Sequence, residues 1–243
     1  MSITTSYVQF AVRKLEEVLT AEEQQIEAAA TLVAQSCMNG GRFYVFGSGH
    51  SHMIAEELYL RAGGLALVKG ILPPELMLHE MANKSTLLER LDGYGSALLQ
   101  LYEVDEKDTL LVISNSGRNP VPVELCLTAK EKGVKVIVIT SLKHSQIVTS
   151  RHKSGKKIYE IADVVIDNHG EKGDAGYPIE GLESPVGSTS SITGITIAQA
   201  MVSSAVAKMV SAGYIPPVFK SSNLDGADAY NEELFKKYHG YWK

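Results

Sequence analysis

Three hydroxyl-rich turns mark where this chain could hold an anion. They are Gly47-Ser48-Gly49-His50-Ser51, Ser114-Asn115-Ser116-Gly117-Arg118-Asn119 and Gly187-Ser188-Thr189-Ser190-Ser191. Hydroxyls donate hydrogen bonds without carrying charge, and glycines let backbone amides approach a ligand closely. A helix starting just after such a turn adds unpaired N–H groups and a favourable dipole. In the second turn Asn119 suits an N-cap and Pro120 the first helical position. Capping does not call for Ser114, Ser116 and Gly117 as well, so a phosphate is the expected guest. In the third turn one of Ser188 and Thr189 suffices as a cap, and the other hydroxyls are in excess. The first turn is not a dinucleotide loop, because His52 stands where GxGxxG needs its third glycine, and no Walker lysine follows.

Acid/base chemistry needs a positioned carboxyl or imidazole. The helix after the first turn carries Glu56 and Glu57. At roughly 100° per residue Glu57 projects between Met53 and Ile54, a partly apolar face that raises a carboxyl pKa. Glu56 projects between Tyr59 and Leu60, so geometry leaves both open. Glu80 and its neighbour His79 follow the second strand and are further candidates. His50 and His52 are two apart and, with Glu80, make no diagnostic metal spacing. No metal or cofactor is therefore predicted, and His50 reads as a contact to a ligand hydroxyl.

These residues must be positioned by an alternation of strands and helices. Residues 6–38 recur at helical spacing and end at Asn39-Gly40-Gly41. This helix precedes every strand, so a partner subunit or the outside of the sheet must cover its apolar stripe. Strands are predicted at Arg42–Phe46, Leu65–Lys69, Thr109–Ile113, Lys135–Thr140 and Ala162–Asp167. Helices are predicted over 52–62, 85–102, 120–132, 188–212 and about 227–238. Short, continuously apolar strands alternating with helices predict a parallel five-stranded sheet in a three-layer αβα sandwich. The domain bounds expected are 1–40 for the first helix, 41–215 for the α/β domain and 216–243 for a helical extension. In such a sheet ligands bind beyond the carboxyl ends of the strands, where the first two turns stand. The polar stretch 168–187 is the longest loop, a length that is more often functional than structural.

Bulk properties narrow the class. With 243 residues and 44% hydrophobic content the chain can bury a full core. A net charge of −5 offers no global field for nucleic acid or acidic lipid. Cys37 and Cys126 belong to no CxxC or Cys/His cluster and read as packed thiols of a reducing compartment. No charged leader precedes an apolar stretch, and no apolar run approaches membrane-spanning length, so a cytoplasmic protein is expected. The helix 188–212 is apolar around most of its circumference, which predicts burial on both sides and hence a homo-oligomer, dimer or tetramer.

The Gly/Ser loop after the first strand, the S-x-S-G stretch after the third and the Ser/Thr-rich start of the last long helix together resemble the sugar isomerase (SIS) domain family. The resemblance spans roughly residues 35–215, and SNSGRN is its most specific part. It implies a flavodoxin-like fold and a phosphorylated sugar as ligand, amino sugars included. It also implies an isomerase or lyase/etherase working by carboxylate acid/base chemistry, or a non-catalytic phosphosugar sensor. By the same resemblance Ser114, Ser116 and Asn119 hold the phosphate, with Asn115 and Gly117 completing the turn. Ser48, Gly49 and Ser51 meet the sugar, and Ser188 with Thr189 closes the site. Glu57 takes the place of a catalytic glutamate, and Glu80 that of a second carboxyl. Some relatives bind zinc through a histidine where this chain has Met53, which speaks against that metal site. Lys220 and the tail Asn223–Asp228 stand where some relatives cover the pocket. A nucleotide enzyme of like topology would need a ribose-binding acid after the second strand, where Lys69-Gly70 stands.

Overall fold

The computed structural model describes residues 2–81 and 83–240. Five strands form one parallel sheet: β1 (Phe43–Gly47), β2 (Val68–Ile71), β3 (Thr109–Ile113), β4 (Lys135–Thr140) and β5 (Val164–Asp167). Their spatial order is β2-β1-β3-β4-β5. The chain thus leaves β1 towards β2 on one side and returns to β3 on the other. That reversal opens a crevice past the ends of β1 and β3, where Gly47 pairs in register with Ile113.

Alternation along each strand divides the core in two. Phe43, Val45, Leu111, Ile113, Ile137 and Ile139 face one layer. Helices α1 (Ile3–Met38), α2 (Ser51–Leu58) and α7 (Ser190–Ser211) cover it, using Val18, Ile26, Ala30, Ile54, Ile197 and Met201 among others. Tyr44, Phe46, Leu110, Val112, Val136 and Val138 face the other layer. It is closed by α4 (Tyr94–Leu101) and α5 (Pro120–Glu131) through Leu98, Leu99, Val121 and Leu125. Between these lie α3 (Lys84–Leu88) and α6 (Leu142–Ser145), and α8 (Ala227–His239) ends the described chain. Cys37 and Cys126 are free and buried, and burial pushes the Cys37 thiol up to about 12.

Several sequence expectations shift. Residues 85–102 are two helices rather than one, because Gly93 adopts φ +85° just before α4. The second strand starts three residues later than predicted, since Leu65 bridges Val218 instead. Helix α2 stops at Leu58, and Leu60 takes a left-handed φ of +49°. The loop 168–187 contains most of a small antiparallel hairpin, β6 (Ala175–Tyr177) with β7 (Val186–Ser188). Helix α7 runs 22 residues at mean hydropathy 1.2, long and apolar enough to cross a membrane by length and composition. Here it lies on the sheet with Ile197, Ala198, Met201, Ala205 and Met209 fully buried. A second side packs against α1 of the same chain, and Thr196, Ala200, Ser203, Ala207 and Val210 remain exposed.

Candidate functional site

A polar cleft of about 270 Å³ sits at the crevice between β1 and β3. Ser48 and Ser51 form one wall, and Ser114, Asn115, Ser116 and Asn119 form the wall opposite. Glu89, His144, Gly173 and Asp174 complete it. Thus six of the residues singled out in the two strand-end turns meet in one place.

Local geometry explains the residue types. A Cβ at Gly47 would collide with the Ser51 carbonyl, so the exit from β1 is closed to any side chain. Gly117 holds φ +59°, and its carbonyl accepts from the Ile158 N–H at 3.0 Å. The Ser114 hydroxyl accepts from the Gly117 N–H at 3.2 Å. Asn115 is held by the Asn168 side chain, whose amide donates to its Oδ1 at 2.8 Å. The Ser116 carbonyl accepts from the Ser145 hydroxyl at 2.8 Å. The turn is therefore braced from behind by residues near β4 and β5. Among the described residues, the N–H groups of Ser116 and Arg118 find no protein acceptor.

Helix α5 contributes less than expected. Its first turn contains Pro120 and Pro122, which have no N–H, and the Val121 N–H donates to the Glu89 carbonyl at 3.1 Å. Asn119 occupies the cap position without capping. Its Nδ2 instead donates to Glu89 Oε1 at 2.6 Å, and its Oδ1 accepts from Arg151 Nη1 at 2.9 Å.

Of the two carboxyls that line this cleft, Glu89 is the one that joins its walls. The Ser48 hydroxyl donates to its Oε2 at 2.7 Å, so it links both walls. Burial raises its pKa above the usual glutamate value, against the pull of Ser48, Arg90, Arg151 and Asn119. His144 is held down by burial and by the nearby Arg118 guanidinium. Asp174 adopts φ +75° and caps α7, accepting from the Ser190 N–H at 3.1 Å and hydroxyl at 2.7 Å.

The other predicted residues lie elsewhere. Glu57 pairs with Arg61 and accepts from Gln199 of α7 at 3.1 Å. Along α2 it is about 9 Å from Ser51 at the usual helical rise. Glu80 is exposed and pairs with Lys84. Ser188 is exposed in β7, and Thr189 is buried before α7 without serving as its side-chain cap. His50 is exposed, and Gly49 faces a separate niche with His52, Glu56 and His79. The tail's Lys220 pairs with Asn231 through its backbone, and among the described residues no tail residue lines the cleft. Among the described residues no three His, Cys, Asp or Glu side chains group as metal ligands. A wider groove of about 550 Å³ on α1 beside His169 gathers none of these candidates.

Sequence reasoning missed Glu89, His144 and Asp174. Glu89 was hidden inside a presumed continuous helix, although Asp92-Gly93 is a turn signal that could have broken it. His144 follows β4 and Asp174 falls in the long loop, so the strand-end rule applied to those segments would have found both.

The SIS domain family matches residues 6–141. The UPF0309 protein BH3325 of Halalkalibacterium halodurans is 58% identical over 96% of this chain and 97% of its own length. In fold the chain is similar to phosphoheptose isomerase from Neisseria gonorrhoeae (TM-score 0.54, 18% identity, 84% of this chain and 97% of that one). It is also similar to the NanR protein of Vibrio vulnificus complexed with ManNAc-6P (TM-score 0.52, 16% identity, 86% of this chain and 64% of that one). The chain belongs to the SIS domain family, alongside the UPF0309 proteins.

Proposed function

We propose that this protein binds a phosphorylated sugar in the cleft between β1 and β3, and that Glu89 exchanges a proton with the bound sugar in an isomerase or lyase reaction. The observation that carries the reading is one arrangement. Four serines and the free amide of Ser116 surround a small polar cleft, and a half-buried carboxyl of raised pKa links its walls. Neutral donors converging on one point suit a phosphate group. A carboxyl whose pKa is shifted toward neutrality suits proton transfer. Glu89 takes the role that the sequence reading gave to Glu57 and Glu80, which lie outside the cleft.

Thermal-shift titration with sugar phosphates and their unphosphorylated sugars tests the binding. Stabilisation by the phosphates alone, abolished by Ser116→Ala combined with Ser48→Ala, is expected. Equal response to both sets, or none, refutes it. Incubation of bound ligands in D₂O tests the chemistry: deuterium incorporation or product that disappears in Glu89→Gln is expected. A second reading, a non-catalytic phosphosugar sensor, is favoured by the fold shared with NanR. It predicts tight binding with no exchange and no product. A homo-oligomer is supported by exposed Ile3, Val8, Val12 and Leu19 on α1; a monomer at micromolar concentration by size exclusion would refute it.

A further inference from the structure

Three arginines gather near Glu89 and Asn119. Arg151 reaches Asn119 Oδ1 at 2.9 Å, and its backbone N–H donates to the Arg118 carbonyl at 2.8 Å. Arg118 immediately precedes Asn119, and Arg90 immediately follows Glu89. The Arg118 side chain turns toward Thr149 and its Nε is buried without a hydrogen-bond partner. Among the described residues none of the three guanidinium groups has a carboxylate within ion-pair distance, whereas Arg61 and Lys143 each pair with one; Arg90 and Arg151 are exposed and Arg118 is half-buried. They sense one another: Arg118 and Arg90 both make it easier for Arg151 to lose its proton, after burial itself. The acid that attracts Arg151, Glu89, is already engaged by Ser48 and Asn119. Three like charges held near one another repel, weakly where water reaches them, and the arrangement fits a ligand that brings negative charge to it.

None of the three side chains lines the cleft itself. A phosphate seated among the serines would be held by neutral donors, and the guanidinium groups of Arg90 and Arg151 stand outside the lining, next to Glu89 and Asn119. At about 270 Å³ the cleft lies at the small end for ligand pockets, so a ligand larger than a small sugar phosphate extends out past Asn119. We infer that the ligand carries a second anionic group, a carboxylate or a second phosphate at the end remote from the first, which Arg90, Arg118 and Arg151 receive. The planar guanidinium fork suits either anion. This inference rests on the phosphosugar reading above and narrows its substrate class.

The test is calorimetric titration of the whole protein with three ligands that share the same 6-phosphate: glucose 6-phosphate, glucose 1,6-bisphosphate and 6-phosphogluconate. At least one of the two doubly anionic ligands is expected to bind about tenfold or more tightly than glucose 6-phosphate, an advantage that shrinks in high salt. Which one wins separates phosphate from carboxylate. In Arg151→Gln and in Arg90→Gln the ratio of affinities should fall toward one. Equal affinity for all three ligands overturns the inference while leaving the phosphosugar reading standing. So does a uniform loss for all three in the arginine variants, which would mean that the guanidinium groups serve the first phosphate. If no sugar phosphate of the broader panel binds, the phosphosugar reading itself fails. A circular-dichroism melt of each variant shows that it is folded before its ratio is read.

Discussion

Substitution of Gly117 by alanine should cost far more than its size suggests, and the cost can be divided. The residue holds φ +59°, and a Cβ there would stand 2.8 Å from Ile158 Cγ1 and 3.3 Å from Ser145 Oγ. The left-handed conformation costs alanine about 1–2 kcal/mol. Forcing a methyl against the fully buried Ile158 costs about 1–3 kcal/mol more, as overpacking does in a close-packed interior. The total is about 2–5 kcal/mol, and in a chain of this size each kcal/mol lowers Tm by about 2–4 °C. Gly155 is the control, because it holds φ +72° with nothing within 4 Å of its would-be Cβ. Gly155→Ala should therefore cost only the conformational part. Urea denaturation of both variants measures the difference. In an Ile158→Ala background the Gly117→Ala cost should drop to that of Gly155→Ala, a coupling that a double-mutant cycle reads directly. Equal costs at Gly117 and Gly155 in the wild-type background would refute the reasoning, because the brace behind the turn would then bear no load.

Three further outcomes are expected. Burial raises the Glu89 pKa, so its contribution to stability is present in acid and lost as pH rises through the folded value. Glu89→Gln should therefore gain on the wild type between acid and neutral pH, and a constant gap across a pH series of urea melts would count against the burial argument. His239 in α8 is pushed from 6.5 down to about 4, first by burial and then by Lys69. Its contribution is present above pH 6.5 and lost as pH falls toward 4, so amide exchange in residues 227–239 should accelerate over that window; unchanged protection would contradict it. Asp174→Ala should destabilise by about 0.5–2 kcal/mol through loss of the α7 cap, whereas Asp174→Asn should retain most of that stability, as parallel melts would show.

Much of the fold was legible because its strands are short, apolar and separated by helical stretches. Thr109–Ile113 and Lys135–Thr140 stand where the sequence placed them, since burial on both faces leaves an unbroken apolar run. The edge strand was misplaced because Leu65 and Ala66 are equally apolar but bond to the Pro217–Val218 segment rather than to the sheet. At the site, Ser48, Ser51 and Ser114–Asn119 were visible because strand ends and glycines advertise backbone turns. Glu89 was not, because what makes it distinctive is its bonding to two turns distant in sequence, and no local pattern reports such a meeting. Glu57 drew attention through its neighbours in sequence, yet helix rotation sends it toward Gln199 rather than the cleft.

Pro120 and Pro122 have an effect beyond ending the turn. They leave α5 with a positive pole but almost no hydrogens to share at it. Such an end attracts an oxyanion from any direction without fixing how its oxygens are turned. Orientation, and with it any choice between one sugar's stereochemistry and another's, then falls to the side chains across the crevice. Changes at Ser48, Ser51 and Glu89 should redirect ligand preference, whereas changes within the α5 turn should scale all affinities together.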